Sequence, residues 1–146
     1  MDADRQAPVF AEGSIEIASS PERLWDLMAD LEGWPRWNGD VKEIAVEGPL
    51  AEGTVFRWKG GNARIVSTLR VVDRPREIAW TGRTFGIDAI HSWRFEPGPL
   101  GAVASMQESF SGGPARLLRS MLQRQLDTAT QHGLRALKAE AERRSA

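Results

Sequence analysis

The sequence predicts a single α+β domain: a seven-stranded antiparallel sheet completed by one long C-terminal helix, with two short helices between the first and second strands. Three observations carry this expectation. From Val41 to Ser111 apolar residues recur with a period of two between short turn-forming breaks. From Pro114 onward the period becomes that of a helix and holds for about thirty residues. Ahead of both, one lone strand is followed by two short helical segments.

Taken in order, residues 1–12 read as a flexible N-terminal arm, and the domain proper is expected over 13–146. "SIEI" is a short strand with Ile15 and Ile17 on one side. In "SSPERLWDLMADLEGW" Ser19 and Glu22 have capping-box spacing and Pro21 suits a first helical turn. Leu24, Leu27, Met28 and Leu31 then make one apolar face, ended by Gly33. "WPRW" puts Trp34 and Trp37 on one face of an extra turn, as a hydrophobic plug or as aromatics at a pocket rim.

Six strands follow, in "VKEIAVEG", "GTVFRWKGG", "ARIVSTLRVVDRP", "REIAWTG", "GIDAIHSWRFEP" and "GAVASMQESFSGG". The breaks between them are too short for a crossover helix, so neighbours are expected to pair antiparallel as a meander. In the last segment Leu118, Leu122, Leu126, Ala129, Gly133, Leu137 and Ala141 form a stripe, with Arg116, Arg119, Arg124, Arg135 and Lys138 off it. Gly133 costs about 1 kcal/mol against alanine inside a helix, and a close approach of helix to sheet is the expected reason.

Composition removes several function classes. Nineteen basic against twenty acidic residues leave a net charge of -1, which recommends neither nucleic acid nor an anionic membrane surface as partner. The arginines of "ARLLRSMLQRQ" therefore read as an ordinary solvated face. There is no cysteine, and only two histidines are present, so thiol chemistry is excluded and no metal site or cofactor is expected. The polar, acidic start does not resemble a signal peptide, and no run of eighteen apolar residues occurs. A cytoplasmic protein without stable membrane insertion is the expectation.

Alternation assigns faces, because a strand places every second residue on the same side. In the fourth strand Ile65, Ser67, Leu69 and Val71 share the apolar face, opposite Arg64 and Arg70. In the fifth, Ile78 and Trp80 share it; in the sixth, Ala89, His91, Trp93 and Phe95; in the seventh, Ala104, Met106, Glu108 and Phe110. If "PGPLG" is a tight hairpin, partners across it have numbers summing to about 199, which sets His91 opposite Glu108. An imidazole beside a carboxylate on an apolar face is either a self-satisfied polar spot or a ligand-contacting or catalytic pair. Met121 and Gln125, near the start of the long helix, are candidates to line the same space, and His132 is expected in solvent.

The order of elements, with "SIEIASSPERLWDLMADLEGWPRWNGDV", "IVSTLRVVDRPREIAW", "HSWRFEP" and "QESFSGG", resembles the helix-grip fold of the START and polyketide cyclase superfamily over roughly residues 13–143. The resemblance implies a strongly curved sheet wrapped around the long helix, enclosing a mostly apolar cavity. Ser67, Leu69, Trp80, Ala89, Trp93, Met106, Met121 and Gln125 would line that cavity, and His91 and Glu108 would supply its polar groups. Such a scaffold serves many activities, so function rests on the site. Three readings follow: a carrier or sensor of a small hydrophobic or aromatic ligand; a cyclase or dehydrase using His91 as general base oriented by Glu108; and a protein-interaction module, which the charged outer faces disfavour. The fold also leaves a sheet edge and the long helix free for a homodimer.

Overall fold

The computed structural model describes residues 1–145. Seven strands, β1 (Val9–Ile17), β2 (Val41–Glu47), β3 (Val55–Gly60), β4 (Ala63–Asp73), β5 (Glu77–Thr84), β6 (Ile87–Gly98) and β7 (Gly101–Ser111), make one sheet. Their order is β1-β7-β6-β5-β4-β3-β2, and every neighbouring pair is antiparallel. Between β1 and β2 lie α1 (Pro21–Ala29), a 3₁₀ turn over Leu31–Gly33, and α2 (Trp34–Trp37). A five-residue helix α3 (Gly113–Leu117) precedes the long α4 (Arg119–Ser145). This is the predicted α+β helix-grip architecture.

Five local expectations are corrected. Residues 9–12 belong to β1, which pairs with β7 from Val9↔Phe110 to Ile17↔Ala102. Val9 and Ala11 point into the core, and the intervening Phe10 and Glu12 obscured their period in the sequence. Before the strand, the backbone N–H groups of Ala3 and Asp4 donate to Gln107 Oε1 (3.2 Å) and Ser109 Oγ (3.0 Å), laying this segment across the outer face of β7. The N-cap of α1 is Ser20, whose Oγ accepts from the Arg23 N–H at 3.3 Å, while Ser19 is buried.

In β4 the register shifts between Leu69 and Val71, so Val72 rather than Val71 packs against the core opposite Ile78. A second shift occurs in β2 between Val41 and Glu43. Such irregularities bend and twist a strand, which is how the sheet acquires its grip. At the other end, Leu118 breaks the helical run between α3 and α4 and is 43% exposed, so the apolar stripe begins one turn later than its spacing suggests.

Helix α4 buries Leu126, Thr130, Gly133, Leu134, Leu137 and Ala141. The residue that lets it approach the sheet is Gly13 in β1, where a Cβ would lie 2.9 Å from Leu134 Cδ1. Gly133 only meets the Trp93 indole at ordinary contact distance, 3.8 Å from the position of a Cβ. The free edge of β1 is closed by helix side chains. Gln123 accepts from the Phe10 N–H (3.1 Å) and donates to the Phe10 carbonyl, Lys138 donates to the Glu16 carbonyl (3.0 Å), and Glu142 accepts from the Ala18 N–H (2.9 Å). An unpaired strand edge is thereby satisfied from within the chain.

Replacing fully buried Leu137 by alanine is expected to lower unfolding free energy by about 2–5 kcal/mol. Gln123→Ala, which frees two backbone groups at a wet edge, is expected to cost about 1 kcal/mol; urea denaturation measures both. Acid stability offers a further check. Glu140 sits between Arg143 and Arg144, whose hydrogen bonds hold its carboxyl down at about 2. A depressed folded value means that its contribution is present above the ordinary carboxylate range and disappears as pH falls from about 4.5 towards 2. Glu140→Gln should therefore flatten the melting temperature against pH in that window.

Candidate functional site

The concave face of the sheet divides into a packed half and a half-buried one. In the packed half Trp34 of α2 meets Phe56 edge-on (centroids 5.8 Å apart) and lies 5.0 Å from the Trp80 ring. Leu69, Trp93, Phe95 and Met106 complete this core, all 4% exposed or less. Three indole N–H groups are satisfied locally: Trp34 donates to the Met28 carbonyl, Trp25 to the Glu77 carbonyl, and Trp58 to Ser67 Oγ at 3.0 Å, whereas the buried Trp37 N–H has no partner. Aromatic side chains occupy the part of the interior that the resemblance assigned to a cavity. Leu69, Trp80, Trp93 and Met106 are accordingly core residues, of which Trp80 and Trp93 border the other half.

That half is built on the middle of β5, β6 and β7. His91 lies directly opposite Glu108 on β7 and opposite Trp80 on β5. Its ring sits between two indoles, 4.6 Å from Trp80 and 5.9 Å from Trp93, the latter nearly parallel at 20°. Nδ1 is 3.2 Å from Glu108 Oε2, with side-chain exposures of 14% and 16%. This contact has the distance of an ion pair without the alignment of a hydrogen bond, and both ring nitrogens are buried with no hydrogen-bond partner. A ring proton aimed away from an oxygen gains little at any separation. An imidazole always carries at least one N–H, and leaving such a donor buried and unpaired costs about 1–3 kcal/mol.

Next to His91 along β6 is Ala89, paired with Gly82 on β5, so two small residues face each other on this wall. A Cβ on Gly82 would lie 3.1 Å from Ser67 Oγ, so glycine there leaves the Ser67–Trp58 hydrogen bond undisturbed. One further position that alternation places on this face, Thr84, was not singled out in the sequence. Thr84, at the end of β5, has a buried Oγ1 without a partner, and Phe110 lies opposite Ala89. A lone threonine before a turn gave no signal until its neighbours were known.

Ser67 is 1% exposed and its hydroxyl is engaged by Trp58, so its observed role is structural. Met121 (42% exposed) and Gln125 lie at the surface. They share a helical stripe with His132, whose Nδ1 is 3.6 Å from Asp40 Oδ2. The stripe borders the open side of the grip and encloses nothing. Depressions elsewhere are shallower in chemistry. One of about 360 Å³ on the outer face is lined by Ser14, Ser92, Arg94, Ser105 and Gln107, but its guanidinium is already held by Asp2 and Glu77. No cluster of three or more metal-binding side chains occurs among the described residues.

The family model for polyketide cyclase/dehydrase and lipid transport matches residues 9–142. The chain belongs to this family. Among solved structures, it is similar to a hypothetical protein of Helicobacter pylori (TM-score 0.84, 16% identity, 94% of this chain and 90% of that one). It is also similar to the Zhui aromatase/cyclase of a Streptomyces species (0.78, 18%, 94% and 95%) and to a START superfamily protein of Mycobacterium smegmatis (0.76, 15%, 92% and 97%). At these identities the likeness shows the fold. An uncharacterized protein of Mycobacterium bovis is 28% identical over 75 residues, which are 51% of this chain and 41% of that protein. The match thus spans about two-fifths of the curated relative.

A polyketide cyclase/lipid transport fold is therefore present with its concave wall half packed and half open, and the two halves make different demands. Ser67→Ala removes the acceptor of the Trp58 N–H and is expected to cost about 1–3 kcal/mol in thermal unfolding. His91→Phe keeps the stack between Trp80 and Trp93 while removing two unpartnered nitrogens, and is expected to leave stability unchanged or raise it. A large loss of stability in His91→Phe would show that the imidazole is satisfied in the folded protein.

Proposed function

We propose that this protein binds a small hydrophobic or aromatic metabolite bearing a hydroxyl or carbonyl group, as a carrier or sensor. The observation that carries this reading is His91: a buried imidazole with no partner for either nitrogen, between two indoles and beside the small residues Ala89 and Gly82. A flat ligand over Ala89 and Gly82 would extend the aromatic stack, and its polar atom would supply the missing hydrogen bond. Ligand sites commonly combine an apolar wall with a few convergent polar groups in this way. Membership of a family described by lipid transport as well as cyclisation supports the reading.

A second reading has its own observation. Glu108 Oε2 lies 3.2 Å from His91 Nδ1, and a small rotation of the ring would align the N–H with the carboxylate. His91 would then present Nε2 as a general base, with Glu108 as the positioning residue, for proton removal beside a carbonyl in a cyclisation or dehydration. The fold likeness to the Zhui aromatase/cyclase is consistent with such chemistry.

Titrating hydroxylated aromatic and fatty compounds while following tryptophan emission tests both readings, since Trp80 and Trp93 flank the site. His91→Phe is expected to weaken binding of ligands with a polar atom about tenfold. Ala89→Leu, which adds bulk to the wall beside His91, should weaken binding of all of them. If neither substitution moves any affinity, the site lies elsewhere. Turnover lost in Glu108→Gln with binding retained would favour the enzyme.

A further inference from the structure

The β5–β6 turn consists of Phe85 and Gly86, both with positive φ (48° and 75°). Glycine adopts this conformation freely; a bulky side chain with a Cβ does so at a cost. Phe85 is also 77% exposed, so it is disfavoured twice, in its backbone and in its hydration. Strain of this kind in a surface residue points to use.

The turn is packed against the start of α3. A Cβ on Gly112 would lie 2.4 Å from the Gly86 carbonyl, and one on Gly86 would lie 3.4 Å from Pro114 Cγ. Phe85 therefore stands at the same end of the molecule as Leu117 (84% exposed) and Leu118 (43%), with Met121 one turn into α4. Exposed among these side chains are Arg116, Arg119 and Arg124, none of which is in an ion pair among the described residues. No acidic residue occurs between Glu108 and Asp127, and on the facing turn Asp88 is matched by Arg83 at 2.9 Å. A net charge near zero for the whole chain conceals this local excess.

We propose that this end, Phe85 with Leu117 and Leu118 in a rim of Arg116, Arg119 and Arg124, is a peripheral docking surface for an anionic lipid bilayer. The apolar side chains protrude from a convex end, where a fluid bilayer receives them without matching pockets. The unpaired arginines complement anionic headgroups. A second copy of the chain would bring three arginines against three. No helix among the described residues is long and apolar enough to cross a membrane, so the contact is superficial. Thr84, whose unpartnered hydroxyl ends the concave wall, directly precedes Phe85, so docking would set the open end of the grip against the bilayer.

Flotation of the full chain with phosphatidylcholine vesicles, plain or containing roughly one-third phosphatidylglycerol, tests this. Binding is expected to the anionic vesicles only and to weaken with added salt. Phe85→Ser and Leu117→Ser should each lower partitioning about tenfold. The triple change R116E, R119E and R124E should lower it about a hundredfold. Circular dichroism should show all variants folded, and the triple variant should retain any ligand affinity of the His91 site. Absent or composition-independent vesicle binding, or wild-type binding in both the serine and the triple variants, would overturn the proposal. So would capture by a soluble acidic polypeptide with none by vesicles, which would identify a protein partner for this end.

Discussion

The seating of α4 on β1 governs the rest of this structure. Gly13 admits Leu134, while Gln123, Lys138 and Glu142 reach over the strand edge to its free backbone groups. Because the helix lies over one flank of the curved sheet, the concave face is not covered evenly. Beneath α1, α2 and the C-terminal half of α4, it is sealed by Trp34, Phe56, Trp80 and Phe95. Towards the β5–β6 turn it opens, and the wall becomes His91, Ala89, Gly82 and Thr84. One helix position thus decides both what is core and what can be site.

Within the open half, the informative feature is an absence of partners. Backbone polar groups at the β1 edge are satisfied by long side chains, and the indoles of Trp25, Trp34 and Trp58 each find an acceptor. Trp37 Nε1, Ser92 Oγ and Thr130 Oγ1 are also buried without a partner, but the nitrogens of His91 and the hydroxyl of Thr84 lie together on this wall. Buried polar groups are costly when half-satisfied, so their persistence on one wall, beside two small residues, argues for an external partner. The same logic applies at the turn, where an exposed phenylalanine in a glycine-like conformation has no use inside the folded chain.

Much of this was legible from spacing. The period of two placed Ala89, His91, Trp93 and Phe95 on one face. The length of "PGPLG" set the hairpin register that brings His91 opposite Glu108, and the pairing is observed. Other features were not legible. The shift after Leu69 exchanged Val72 for Val71, because a bulge adds a residue without changing composition. The arginine-rich start of the long helix read as a solvated face. Its partner feature, Phe85, lies some thirty residues away and is brought beside it by the tertiary packing of Gly86 against Gly112 and Pro114.

What the sequence by itself determined is the sequence of elements, their antiparallel pairing and which residues alternate onto the concave face, since these follow from local periodicity and short connections. What only the tertiary structure decided is how that face is used. Trp34 and Phe56 fill one half, Ser67 is committed to Trp58, Met121 and Gln125 lie in solvent, and His91 keeps two nitrogens unpaired. Periodicity states the side to which a residue points. Occupancy of the space on that side depends on side-chain volumes and helix placement contributed by segments far apart in the chain.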